Sequence, residues 1–136
     1  MSVSKNRIGI AVGAITAMIL IAVGEMVIDK QFPHPPIDVK DKAAVAAMMS
    51  HMPMNFFLAL IANYAFASLV GGVVATLVSG RSTNNPPVVT GLLLMLAGIV
   101  NLVMLPHPFW FGVASSLVYI PFALLGFMVA KRKTAI

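Results

Sequence analysis

Four apolar runs, Ile8 to Ile28, Met54 to Val78, Val88 to Leu105 and Phe109 to Ala130, contain between them a single charged residue, Glu25. A helix needs roughly 20 apolar residues to cross the hydrocarbon core of a bilayer, and each run is about that long. Backbone polar groups inside lipid must bond within their own segment or a closed barrel, and runs this continuously apolar are helices rather than alternating strands. In a chain of 136 residues, four spans leave no room for an aqueous domain. The expectation is therefore one integral membrane domain, residues 1–136, with spans at about 8–28, 54–78, 88–105 and 109–130. Composition agrees: 60% of residues are hydrophobic and 10% charged, whereas a soluble domain carries about a quarter charged residues.

Charge placement gives an expected orientation. Lys5 and Arg7, then Arg81, then Lys131, Arg132 and Lys133 fall on one side of the four spans. Lys30, Lys40 and Lys42 fall on the other, interleaved with Asp29, Asp38 and Asp41. The positive-inside rule then puts both termini in the cytoplasm, and a bacterial inner membrane is the expected location. The net charge of +5 forms no basic stripe with interleaved aromatics, so nucleic acid is not an expected partner. Lys5, Arg7 and the trio Ala22-Val23-Gly24 outline a secretory signal, but the apolar stretch between them is too long for one. The first run is expected to remain as a helix.

Prolines punctuate the rest. Pro86 and Pro87 precede the third run and Pro106 follows it, marking its ends, while Pro121 inside the fourth run predicts a kink. The first outer connection, residues 31–53, opens Phe32-Pro33-His34-Pro35-Pro36, which proline forces to be extended. Asp41 is a plausible N-cap for a short helix toward Met52 whose apolar positions Val45, Met48, Met49 and Met52 share one face. Such a helix lies on the outer surface or caps the bundle.

Helices in lipid associate through small residues. Gly9, Gly13 and Ala17 on the first helix and Ala67, Gly71 and Ala75 on the second read as contact faces, with contact inside one bundle favoured over contact between copies. Phe57 to Gly72 repeats the spacing of Phe111 to Gly126; a duplicated hairpin is one reading of that echo.

Polarity within the spans leans outward. A rise of about 1.5 Å per residue puts Glu25 roughly 5 Å, Asn101 roughly 6 Å, Ser115 about 9 Å and Asn63 about 13 Å from the outer ends of their helices, with Tyr64 and Tyr119 just beneath. The inner halves hold little beyond Thr16, Ser68, Thr76 and Thr90, which can bond their own backbone. A continuous pore would need polar surface at every depth, so the pattern suits an outward-facing pocket formed by Glu25, Asn63, Tyr64, Asn101, Ser115 and Tyr119. The plainer reading is that these groups knit helices together or meet headgroups. Glu25 is the sharpest feature, because a carboxylate within a span is a functional hypothesis by default. Asp29 follows on the same face, and both sit where the helix dipole disfavours negative charge. A compensating cation (Lys30, a basic residue of the first connection or a metal), a shared proton or simple exposure to water would relieve them.

All three histidines, His34, His51 and His107, are expected on the outer side. With Met48, in M-x-x-H spacing to His51, they form a candidate copper or zinc set, against the plainer role of methionine as an adaptable filler. No histidine lies within a span to hold haem, cysteine is absent, and neither a nucleophile elbow nor a phosphate loop occurs. No cofactor and no enzyme activity are expected.

The second half of the chain, Asn101-Leu102-Val103-Met104-Leu105-Pro106 with Pro108, Trp110 and Phe111, then Tyr119-Ile120-Pro121 with Ala123 and Gly126, resembles a group of small bacterial four-helix membrane proteins of unassigned function. The resemblance covers most of the chain. In that group the first outer connection is also proline-rich and acidic, as from Pro33 to Asp41 here. His34 and His107 are not histidine in the group's pattern, and Asn63 stands where it has one. The resemblance thus implies a four-span fold with an outer motif around Pro106, Pro108 and Trp110. It weakens the metal reading and implies no activity.

The sequence therefore predicts an all-α four-helix membrane bundle with both termini cytoplasmic and an interfacial helix in the first outer connection. Its expected partners are membrane lipids and a homo-oligomer or larger membrane complex. Three functions follow: an accessory subunit or lipid or apolar-ligand binder; a small oligomeric transporter or channel using Glu25; an outer copper or zinc site.

Overall fold

The computed structural model describes residues 2–81 and 83–132, all helix, turn or irregular; Lys133, counted above among the basic residues, lies outside the described residues. Six helical segments follow in order: α1 (Ser2–Gln31), α2 (Lys42–His51), α3 (Met54–Ser79), α4 (Asn85–Met104), α5 (Phe109–Ser116) and α6 (Tyr119–Arg132). Four stretches are long and apolar enough to cross a membrane: α1, α3, α4 and the α5–α6 pair. The 30 residues of α1 make about 45 Å of helix, more than the roughly 30 Å hydrocarbon core, so its ends reach beyond the apolar layer.

The helix ends follow local chemistry. Asp41 caps α2 as expected, its carboxylate accepting from the Ala44 amide at 3.1 Å. Gly80, at φ 98°, ends α3 in the left-handed conformation, and its amide and that of Arg81 both donate to the Thr76 carbonyl. Glycine suits that position because it carries no Cβ penalty there. At α4 the helix begins at Asn85, with Pro86 and Pro87 inside its first turn. The first amides of a helix have no intrahelical acceptor, so prolines cost nothing there.

The break in the fourth span falls at Leu117 and Val118, between α5 and α6, one turn before Pro121. That is where proline acts: it has no N–H for the Leu117 carbonyl and its ring crowds that group. Pro121 itself sits in the first turn of α6, and the Leu117 amide shares the Val113 and Ala114 carbonyls at 3.3 Å each.

The two small-residue stripes meet each other. A Cβ added at Gly13 would lie 2.7 Å from the Gly71 carbonyl oxygen and 2.9 Å from the Ala75 Cβ, and one at Gly9 would lie 2.7 Å from the Ala75 carbonyl oxygen. Ala17, Ala67 and Ala75 are wholly buried. In lipid, where apolar burial does not drive association, close approach of backbones supplies the contact. α1 and α3 thus run antiparallel along one seam. On its other side α3 packs against α6, where a Cβ at Gly72 would fall on the Ala123 carbonyl and one at Gly126 on the Leu69 carbonyl.

That second contact explains the sequence echo. The Phe57 and Phe111 rings lie 5.4 Å apart, and Gly72 and Gly126 meet at the other end. The matched spacing is a register between two parallel helices. α4 packs against α1, α3 and α6, while α1 and α6 lie at the far corners of the bundle.

Candidate functional site

Aromatic residues organise the half of the bundle that carries α2, the half expected to face outward. Phe32 at the end of α1 meets Phe56 of α3 at 5.7 Å, Phe56 meets Phe57 at 5.2 Å, and Phe57 meets Trp110 at 5.8 Å. Tyr64, two turns deeper on α3, stacks on Tyr119 of α6 with centroids 5.8 Å apart and planes 24° from parallel. These rings hold α3 and the α5–α6 pair together and leave space on the side facing α1 and α4.

That space is two adjoining cavities. The outer one, about 420 Å³, is bounded by Glu25, Asp29, His34, Tyr64, Asn101 and His107, with Val45, Met48 and Met49 of α2 over it. The inner one, about 170 Å³, has Glu25, Tyr64, Asn101 and Tyr119 among apolar residues of α1 and α4. Glu25, Tyr64 and Asn101 line both and mark the junction. Gly98 makes room for Tyr119: a Cβ there would lie 2.6 Å from the phenol oxygen. α2 turns its apolar face inward as its pattern predicts, with Val45 buried and Met49 and Met52 packed on the core.

Four of the six predicted pocket residues thus converge, and two do not. The Asn63 amide donates to the Ile21 carbonyl of α1 at 3.1 Å, closing the α1–α3 seam rather than lining a cavity. Ser115 is buried and donates to the Gly112 carbonyl in its own helix at 3.3 Å. Within the cavities, the Glu25 carboxylate, the Asn101 amide and the Tyr64 and Tyr119 hydroxyls have no hydrogen-bond or ion-pair partner among the described residues. Lys30, considered above as a counter-charge, makes no ion pair with Glu25.

The histidines separate. His34 folds back on α1, its Nε2 2.8 Å from Asp29 Oδ1 and its Nδ1 2.9 Å from the Pro35 carbonyl. Both ring nitrogens therefore face acceptors, an arrangement only the imidazolium satisfies. The bond to Pro35 first, and that to Asp29 next, hold His34 above the usual histidine range. His107 stacks on Phe111 at 5.4 Å and points Nδ1 at the Leu105 carbonyl, 2.8 Å away. Burial pushes its pKa down, only partly countered by that bond. His51 lies apart, its Nδ1 2.7 Å from the Ala47 carbonyl, beside a shallower cavity of about 490 Å³ that it shares with His34 and Met48. Among the described residues no three His, Asp or Glu side chains gather as a metal site would require. His34 moreover has no ring nitrogen left to give a metal.

Thr16, Ser68 and Thr76 bond to carbonyls four residues back, each at 2.7 Å. Thr90 differs from the expectation: its hydroxyl is fully buried with no partner among the described residues, its methyl group being turned toward Gly71.

The fold and its cavities define a small multi-pass membrane protein. Comparison with protein-family models, curated proteins and solved structures finds no match for the chain.

Proposed function

We propose that this chain is a non-enzymatic membrane protein that holds an apolar or amphiphilic ligand, such as a lipid, in its outer cavities. One observation carries the reading: four polar groups from α1, α3, α4 and α6 line two adjoining cavities whose walls are otherwise apolar and aromatic apart from the His34–Asp29 pair and His107 around the larger one, and none of the four has a partner among the described residues. Unpaired polar groups within an apolar layer are costly, and a pocket with few convergent polar groups in an apolar wall is the usual form of a small-molecule site. The closed inner seam favours a binder over a channel. An accessory role in a larger membrane complex is compatible with this reading, since bound amphiphile and partner use different surfaces.

The proposal extends to the setting. The chain belongs with the small bacterial four-helix proteins it resembles, in an inner membrane with both termini inside, so that the cavities open to the extracytoplasmic leaflet. Membrane lipids cover its flanks, and further copies or other subunits dock there.

Native mass spectrometry of protein purified in mild detergent tests the binding. Wild type should retain a bound amphiphile. Ala97→Trp, which fills the inner cavity, should lose it, while Val103→Trp on the exposed flank of α4, where Val103 is 77% exposed, should keep it. Equal retention by both variants, or none by wild type, overturns the reading.

A further inference from the structure

The chemistry of the cavity walls narrows the ligand. α1 continues to Gln31, which places Glu25 nearly two turns before its end, where it lines both cavities, with Asp29 one turn further on. No Lys or Arg lines either cavity, and His34, which lines the larger one, is committed to Asp29 and Pro35. Glu25 is more than a third exposed, and a carboxylate that lines a largely apolar cavity without a protein partner is stabilised by a proton or a counter-cation, the more so the less water reaches it. An anionic ligand would meet repulsion with nothing to offset it. Tyr64 and Tyr119, stacked on each other, put electron-rich aromatic groups in the cavity wall, and such groups attract a cation electrostatically. Met18, Met26, Met48 and Met49 add a polarisable, adaptable wall.

We infer that the ligand of these cavities is a lipophilic organic cation, an ammonium or comparable charged centre on an apolar body, neutralised by Glu25 and faced by Tyr64 and Tyr119. This rests on the reading that the cavities hold an amphiphile. The same charged group is available on a free lipophilic amine or on an amine-bearing lipid headgroup. Asn101, with an amide that both donates and accepts, serves either.

The test uses two probes of similar shape, tetraphenylphosphonium and neutral triphenylphosphine oxide, titrated into purified full-length protein with Trp110 fluorescence as the readout. Wild type should bind the cation about tenfold or more tightly than the neutral probe. Glu25→Gln should abolish that preference, while Val103→Trp on the exposed flank of α4 should keep both affinities. Proton and cation compete for one carboxylate, so cation affinity should fall as pH falls, and by more than the neutral probe's does. The titratable groups facing Glu25 are Asp29 on its own helix, His34, Tyr64 of α3, His107 and Tyr119 of α6. The pH effect should survive His34→Gln and His107→Gln. Displacement of the cation by phosphatidylethanolamine in nanodiscs, and not by phosphatidylglycerol, assigns the ligand to a headgroup; no displacement by either assigns it to a free amine. Equal affinity for the two probes in wild type, or a preference that persists in Glu25→Gln, overturns the inference and leaves the binding reading standing. If neither probe binds, both fall.

Discussion

Asn63 and Asn101 are chemically identical, and packing gives them different roles. Asn63 spans the α1–α3 seam to the Ile21 carbonyl; Asn101 faces both cavities without a protein partner. Depth along a helix is legible in sequence, because the rise per residue is fixed, and it groups Glu25, Tyr64, Asn101 and Tyr119, which line the cavities. Rotation relative to the neighbouring helix is not, since it depends on which side chains interlock. Asn63→Ala should therefore cost about 1 kcal/mol, the scale of interhelical hydrogen bonds in membranes, seen as a lower midpoint of thermal unfolding in detergent. Asn101→Ala should leave that midpoint in place and weaken ligand retention. The reverse pattern would exchange their roles. Gly71 tests the seam more severely: its Cβ would lie 3.0 Å from the Ala17 Cβ and 3.1 Å from the Gly13 carbonyl oxygen. Gly71→Leu should destabilise by about 1–3 kcal/mol, the ordinary cost of overpacking, measured by the same unfolding transition, whereas an equal substitution at exposed Val103 should change it little.

Individual elements show where sequence rules held and where tertiary contact decided. The apolar face of α2 and its Asp41 cap follow from local pattern alone. The fold-back of His34 onto Asp29 does not, because it needs the extended proline segment to reverse direction over the end of α1. That contact gives the outer cap a pH dependence of definite sign. The raised pKa of His34 means its contribution is fully present below the ordinary value, about 6.5, and is lost as pH rises through the higher folded-state value. His107 acts oppositely. Its lowered pKa keeps its contribution intact above about 6.5 and erodes it as pH falls through the folded-state value. A spin label on Ile37→Cys, in the wall of the outer cavity, should be least mobile near that ordinary value and loosen on both sides. His34→Gln should remove the alkaline limb and His107→Gln the acid limb. A flat profile in the parent protein would exclude both contacts as determinants of cap closure.

At the scale of the whole molecule, the four spans fix which segments share an end. Gly9 lies against Ala75 and Ser79, so the start of α1 and the end of α3 are neighbours, and Arg81 joins them. Phe32 meets Phe56, and Phe57 meets Trp110, so the proline-rich connection, α2 and the start of α5 occupy the opposite end. Lys5, Arg7 and Arg81 fall at the first end, while every Asp lies at or beyond the other end of α1 with Lys30, Lys40 and Lys42. Because Lys and Arg near span ends set orientation, the first end should face the cytoplasm and the cavities the outside. The chain has no cysteine, which makes the assignment directly measurable. In intact bacterial cells, Lys40→Cys should react with a membrane-impermeant maleimide, and Thr83→Cys should react only after the membrane is opened. The opposite labelling would turn the cavities toward the cytoplasm, and with them the source of any ligand that Glu25 admits.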